Sequence, residues 1–126
     1  MKMNTYYEEN NGTIWEESKD NDEFIWRYEG NPLFNMRKNE FWHICNSAVV
    51  RKDGSYAGVF RVETKEGRPM LVYGESADGV KWALDKDEIR LIKENGETLV
   101  TLDEYCYDPR LIKIENEYYI VFCADI

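Results

Sequence analysis

The feature that most constrains the fold is an internal repeat with a constant offset of 62 residues. Residues 48–63 align with residues 110–125, so that Tyr56 corresponds to Tyr118. Each copy contains an apolar run, a polar turn and an aromatic run, which is typical of two short strands joined by a hairpin. Propeller blades consist of short strands that repeat at such a period. Each blade buries a sheet face only by stacking on the next copy. The repeat therefore predicts an all-β chain that holds roughly two blades of a β-propeller.

Turn dipeptides separate short apolar runs through the middle of the chain. They are Asp53-Gly54, Glu66-Gly67 and Asp78-Gly79. Asp-Gly between β-prone runs is a strong hairpin signal. Residues 1–23 show neither a strand nor a helix period, so we predict an N-terminal arm there and a partial propeller over residues 24–126.

The repeat also predicts how the strands are grouped. We expect one antiparallel sheet centred on residues 46–82 and a second that begins near Tyr107. A propeller closes into a ring of about four to eight blades, so two blades cannot complete it. Because the chain stops at Ile126, in or just after an apolar strand, we expect a fragment, a truncated product or a chain that completes itself by association. Exposed sheet faces would make such a chain weakly stable or self-associating.

Charge and composition limit the partners. Sixteen Lys and Arg against 25 Asp and Glu give a formal net charge of −9, which repels nucleic acid and anionic membranes. The acidic, polar N-terminus lacks the apolar core of a signal peptide. An odd count of cysteines (Cys45, Cys106 and Cys123) suits a reducing compartment, and we interpret all three as small buried apolar groups. We therefore expect a cytoplasmic protein with neither a nucleic-acid nor a membrane partner.

Polar residues stand at corresponding places in the two copies. Asn46-Ser47 and Asp108-Pro109-Arg110 are predicted to precede the first strand of each copy. Arg61 and Glu63 are two residues apart at the end of an aromatic strand, and Asp125 is the equivalent of Glu63. Side chains two residues apart on a strand share a face. In a propeller the innermost strand of each blade lines a central channel, so these groups are expected at one mouth of that channel.

The residues alone leave two interpretations of these polar positions open. In one they form a binding or catalytic site. In the other Arg61 pairs with Glu63 or Asp108 as a structural ion pair, and Asp108-Pro109-Arg110 is merely a turn.

Ser76-Ala77-Asp78-Gly79-Val80-Lys81-Trp82 is predicted to be a structural turn. Asp78 can accept hydrogen bonds from its own turn, Gly79 can adopt a positive φ, and Trp82 can pack beneath the hairpin. The same pattern recurs in carbohydrate-active propellers, so it indicates a fold and leaves the substrate open.

The chain from about Arg27 to Asp125 resembles the N-terminal part of the β-mannoside phosphorylases of glycoside hydrolase family 130. The resemblance implies a five-bladed propeller that cleaves β-mannosidic bonds with inorganic phosphate, with inversion, to give α-mannose 1-phosphate. The matching segments are residues 27–32, Cys45-Asn46-Ser47-Ala48-Val49, residues 56–61, Ser76 to Trp82, and Tyr107-Asp108-Pro109-Arg110 followed by Glu117-Tyr118-Tyr119.

The resemblance also implies roles for individual residues. Asp125 lies where the family keeps its single general acid, so we predict it to be the catalytic residue. Cys45 departs from the family pattern, in which an aromatic residue is expected, and the basic residues that hold phosphate are expected in a C-terminal portion absent from this chain. The predicted substrate-binding residues are Asn46, Ser47, Arg61, Glu63, Asp108 and Arg110.

One general acid suffices for this chemistry, because phosphate is already a nucleophile, whereas an inverting hydrolase needs a second carboxylate to activate water. The resemblance implies no cofactor. It implies a mannose-containing saccharide as partner, with inorganic phosphate as co-substrate of the full-length protein. Two alternatives remain: a β-mannosidase of the same family, and a non-catalytic carbohydrate-binding fragment.

Overall fold

The computed structural model describes residues 28–34, 40–99 and 104–125, and the chain divides into two compact units, residues 1–33 and 34–126. The described part of the first unit is a short turn in which the Asn31 amide donates to the Tyr28 carbonyl at 3.1 Å. The predicted N-terminal arm, residues 1–23, lies outside the described residues. All the strands given below belong to the second unit.

The strands among the described residues of the second unit form two antiparallel sheets. The first has the order β1-β2-β3-β4 and the second pairs β5 with β6. The all-β class and the two predicted sheets are therefore confirmed. The bounds are β1 His43–Lys52, β2 Ser55–Glu63, β3 Pro69–Ser76, β4 Ala83–Glu88, β5 Tyr105–Ile114 and β6 Glu117–Asp125.

The repeat is visible in the strand register. In the β1–β2 hairpin Cys45 pairs with Arg61, and in the β5–β6 hairpin the equivalent Tyr107 pairs with Cys123. The register shifts at the same place in both hairpins, between Cys45 and Ala48 and between Tyr107 and Arg110. The two hairpins are thus equivalent pair by pair at an offset of 62 residues.

The register shifts are β-bulges, and each contains a residue with a left-handed backbone. Asn46 has φ 45° and Asp108 has φ 52°. Asn and Asp tolerate this region better than other residues with a side chain, which explains why they occupy these two positions. The prediction that Asn46-Ser47 and Asp108-Pro109-Arg110 precede the strands is wrong, because the bulges allow β1 and β5 to begin three residues earlier and to continue through them.

Two apolar clusters cover the two faces of the first sheet. Phe60, Val62 and Val72 are buried on one face, where Trp82 packs edge-on against Phe60 with ring centroids 4.9 Å apart. Val59 and Leu71 are buried on the other face. The second cluster also contains four residues of the β5–β6 sheet: Cys106, Leu111, Ile120 and Phe122. The two sheets therefore share a core.

The opposite face of the β5–β6 sheet is apolar and exposed within the described residues. Val121 is 66% exposed, whereas its equivalent Val59 is 2% exposed. Ile112 and Tyr119, a cross-strand pair on the same face, are also exposed. The second sheet therefore presents to solvent the face that the first sheet buries against its neighbour.

The Ser76–Trp82 segment is the predicted structural turn between β3 and β4. The Asp78 carboxylate accepts hydrogen bonds from the Val80 amide at 2.9 Å and the Lys81 amide at 2.7 Å, and these bonds lower the pKa of Asp78. The Trp82 indole donates to the Gly79 carbonyl at 3.0 Å. The turn is thereby fixed from within the chain, as expected from its sequence.

The cysteines differ from the prediction at one position. Cys106 is buried and Cys45 is half-buried, but Cys123 is exposed. Cys123 lies on the same open face of β6 as Val121, so the interpretation of all three cysteines as buried groups is wrong for it.

Candidate functional site

The two bulges meet, and their polar side chains form a hydrogen-bonded cluster with Arg61. The Asn46 amide Nδ2 donates to Asp108 Oδ1 at 2.8 Å, and an Arg61 terminal nitrogen donates to the same oxygen at 2.7 Å. The Asn46 and Arg61 bonds lower the pKa of Asp108, and the bond to Asp108 raises the pKa of Arg61. The Arg61–Asp108 pair is therefore charged at neutral pH in the unliganded chain.

Arg61 is held from three directions. Besides Asp108, it pairs with Glu63, whose Oε1 lies 3.5 Å from its second terminal nitrogen. Its guanidinium carbon lies 5.4 Å from the centre of the Tyr107 ring, within the range of a cation–π contact. The Arg61 side chain is only 23% exposed, and its Nε is buried without a hydrogen-bond partner among the described residues. The guanidinium is thus oriented before any ligand arrives.

Asp125 reaches this cluster through two tyrosines. Asp125 pairs with Tyr105 across the β5–β6 hairpin, and the proximity of its carboxylate raises the pKa of Tyr105. The charge of Asp125 also raises the pKa of Tyr107. Since Tyr107 lies against Arg61, the carboxylate of Asp125 and the Asp108 cluster occupy the same end of the second sheet.

Glu63 and Asp125 are equivalent in the fold as well as in the sequence. Each is the last residue of the second strand of its hairpin, Glu63 opposite His43 and Asp125 opposite Tyr105. The repeat therefore supplies a carboxylate at the same strand end of each sheet.

Ser47 and Arg110 flank the cluster. Ser47 is exposed in the β1 bulge beside Asn46. Arg110 is exposed directly after the β5 bulge, where its guanidinium donates to the Pro109 carbonyl at 2.9 Å, and its charge contributes to the lowered pKa of Asp108. Of the predicted site residues, direct bonds join Asn46, Arg61, Glu63 and Asp108, whereas Asp125 is connected through tyrosines.

Tyr105 and Tyr107 were missing from the predicted set of site residues. Their ring centroids lie 6.0 Å apart, and they link Asp125 to Arg61. The available signal was their spacing: Tyr105 and Tyr107 stand three residues and one residue before Asp108, and they are the equivalents of His43 and Cys45 in the first copy.

The cluster offers fixed donors and acceptors of the kind that orient polyhydroxylated ligands. It combines a guanidinium, a side-chain amide, carboxylates and aromatic rings. Within residues 28–34, 40–99 and 104–125 no group of three His, Cys, Asp or Glu side chains could hold a metal ion. The same residues contain no helix that is long and apolar enough to cross a membrane.

Comparison with known proteins identifies a family and a relative that this chain is similar to. A family profile for glycoside hydrolase family 130, described as beta-1,4-mannooligosaccharide phosphorylase, matches residues 16–126. A beta-1,4-mannooligosaccharide phosphorylase of Ruminococcus albus is 37% identical over 106 residues, which cover 79% of this chain and 31% of that protein. The chain thus spans about a third of the length of this relative.

Proposed function

Because this chain belongs to glycoside hydrolase family 130, we propose that it supplies the mannose-facing part of a β-mannoside phosphorylase. The observation that carries the proposal is the junction of the two bulges, where Asn46, Arg61 and Asp108 form one cluster. The substrates are a β-mannosyl disaccharide or oligosaccharide and inorganic phosphate, and the sugar product is α-mannose 1-phosphate. The match to a mannooligosaccharide phosphorylase supports this substrate class.

The proposal includes a five-bladed propeller in which the two sheets are consecutive blades. Two features support it: the equivalent registers of the two hairpins, and the way in which one face of the first sheet packs on the second. If a further blade packs on the second sheet as the second packs on the first, it would bury the exposed face around Val121. The face around Val59 is buried in this way by the second sheet.

In the proposed reaction a phosphate oxygen attacks the anomeric carbon of the mannosyl residue from the face opposite the leaving sugar. The bond from that carbon to the leaving oxygen breaks, and a carboxylic acid gives its proton to this oxygen. Asn46 and Arg61 bind hydroxyl groups of the mannosyl ring and fix its placement, which brings the reacting atoms into line. Phosphate is bound by residues beyond the third of the relative's length that this chain spans.

Asp125 is the proposed proton donor, as the family resemblance implies. Asp108 is a second candidate, which its geometry favours: it contacts both Asn46 and Arg61, and its backbone lies in the sparsely populated left-handed region. Its lowered pKa keeps Asp108 ionised in the unliganded chain. To donate a proton, Asp108 would have to exchange these bonds for contacts with the sugar, since those contacts could then raise its pKa.

Two matched variants, Asp125→Asn and Asp108→Asn, test the assignment in the full-length enzyme. Both keep the size of the side chain and remove the acidic proton. Asp125→Asn should lower the turnover of mannosyl disaccharide to mannose 1-phosphate by about 10²–10⁴-fold with little change in mannose binding. A loss in Asp108→Asn alone would move the proton donor to Asp108, and full turnover in both variants would contradict a site at this junction.

The same assay separates the alternatives. Release of free mannose without phosphate would indicate a β-mannosidase, and mannoside binding without turnover would indicate a non-catalytic carbohydrate-binding chain. The isolated 126-residue chain is expected to form no mannose 1-phosphate at any phosphate concentration. The cytoplasmic location and self-association expected from the sequence stay predictions.

A further inference from the structure

A second polar link joins the two sheets, at Arg68 in the loop between β2 and β3. One terminal nitrogen of Arg68 pairs with Glu88 Oε2 of β4 at 2.9 Å. The other donates to the backbone carbonyl of Glu104 at 3.3 Å. Glu104 is the residue immediately before β5. Arg68 therefore connects the edge of the first sheet to the beginning of the strand that carries Tyr105, Tyr107 and Asp108.

The loop that carries Arg68 is closed by its own hydrogen bonds. The Thr64 amide donates to the Arg68 carbonyl at 2.9 Å, and the Arg68 amide donates to the Thr64 hydroxyl at 3.3 Å. Gly67 adopts a φ of 83°, and its amide donates to the Thr64 carbonyl at 2.9 Å. With its backbone fixed and one nitrogen held by Glu88, Arg68 can direct its other nitrogen at only a narrow region, which the Glu104 carbonyl occupies.

The segment 104–108, which comprises the residue before β5 and the beginning of that strand, is held at three points. Arg68 binds the Glu104 carbonyl, the Cys106 side chain is buried with Val59 and Leu71, and Asp108 is bound by the first sheet through Asn46 and Arg61. Tyr105 and Tyr107 alternate with these anchors on the strand and so point to its other face. The bond from Arg68 to the Glu104 carbonyl therefore lies one residue before Tyr105, at the start of this segment.

We propose that Arg68 is a positioning residue for the candidate site, acting through the Glu104 carbonyl to fix Tyr105 beside Asp125 and, through the strand, Asp108 against Arg61. An Arg is suited to this role because its planar fork can serve two acceptors at once, whereas Lys offers a single nitrogen. The effect on sugar binding rests on the proposed function, but the effect on Tyr105 does not.

Two variants separate positioning from simple stabilisation. Arg68→Lys keeps the charge and the ion pair with Glu88 but removes the second nitrogen, and Arg68→Met removes both contacts. Lys86→Met is the matched control, because it removes another ion pair of β4, between Lys86 and Glu40 at 2.8 Å, that does not involve β5. Each variant is prepared with tyrosines labelled at the ring carbon that bears the hydroxyl and is titrated by NMR, with the Tyr105 signal assigned through Tyr105→Phe.

Both Arg68 variants should return the pKa of Tyr105 towards its usual value of about 10, since the hydroxyl no longer faces Asp125 in a fixed geometry, and Lys86→Met should leave it unchanged. The affinity for a mannosyl disaccharide should fall about tenfold or more in the same two variants, because a small misplacement of site groups is costly. If the Tyr105 titration moves but the wild-type protein binds no mannoside, the proposed function fails and the positioning role stands.

If Arg68→Lys folds and the pKa of Tyr105 keeps its wild-type value, while only the melting temperature falls, the proposal is overturned. If Arg68→Met does not fold, Arg68→Lys decides alone.

Discussion

Asn46 and Asp108 are equivalent residues of the two copies of the repeat, and they hydrogen-bond to each other at 2.8 Å. Each is the left-handed residue of its bulge, so the same backbone feature appears on both sides of the contact. The stacking of the two hairpins brings these features together, and Arg61 joins them. The polar cluster is therefore a product of the junction between the copies, since neither hairpin contains it alone.

Asn46→Gly should raise the pKa of Asp108 towards its ordinary value. Glycine accepts the positive φ of position 46, so the bulge is kept while the amide donor is lost, and that donor is the main cause of the lowered pKa. Carboxyl-carbon NMR across an acid titration measures the change. Asn95→Gly, at an exposed turn where Asn95 accepts from the Glu97 amide, is the control. An unaltered Asp108 titration in Asn46→Gly would show that this bond does not form in solution.

The Arg61–Asp108 pair should make the stability of the fold depend on pH in the acid range. The folded-state pKa of Asp108 lies below its unfolded value of about 3.9. Its contribution to the free energy of unfolding is therefore present above that unfolded value and is lost as the pH falls through the lower folded pKa. The difference in free energy of unfolding between wild type and Asp108→Asn should thus be present at neutral pH and close once the pH falls below the folded-state pKa of Asp108.

Urea unfolding at a series of pH values measures this difference. Asp53→Asn is the control, because Asp53 also has a positive φ but lies in the hairpin turn between β1 and β2. If the wild type kept the same excess in free energy of unfolding over Asp108→Asn in strong acid, the ionised carboxylate would have no role in this stabilisation.

Leu71→Ala should destabilise the chain by about 2–5 kcal/mol, because Leu71 is 2% exposed in the cluster that joins the two sheets. Ile112→Ala removes a similar side chain from the exposed face of β5 and should cost far less. Chemical denaturation of both variants gives the comparison. Equal losses would mean that the shared core between the sheets is not packed as described.

The repeat made the strand pairing predictable but not the burial. The alignment of Tyr56 with Tyr118 identified equivalent hairpins, and Asp53-Gly54 marked the turn of the first one. Val59 and Val121 are nevertheless buried to opposite extents, because burial depends on whether another sheet covers that face, which no local pattern records.

The sequence predicted the polar residues of the cluster better than their setting. The repeat identifies Asn46 and Asp108, yet the sequence predicts that their strands, β1 and β5, begin after them. A bulge is one extra residue in one strand, and a single Asn or Asp in a polar stretch is equally compatible with a turn. The link from Arg68 to a backbone carbonyl 36 residues away leaves no sequence signal, since any residue can supply that carbonyl.

Arg61→Lys should weaken the binding of a mannosyl disaccharide. Lysine retains the positive charge but cannot contact Asp108 and Glu63 with separate nitrogens while lying over Tyr107. The loss of one charged hydrogen bond corresponds to about 1.5–3 kcal/mol, or roughly tenfold to a hundredfold in affinity. Arg51→Lys is the matched control, because Arg51 is an exposed arginine of the neighbouring strand β1 that also lies near an aromatic ring, that of Tyr56. Calorimetric titration of both variants measures the difference, and wild-type affinity in Arg61→Lys would mean that the sugar is bound elsewhere than at the junction of the two bulges.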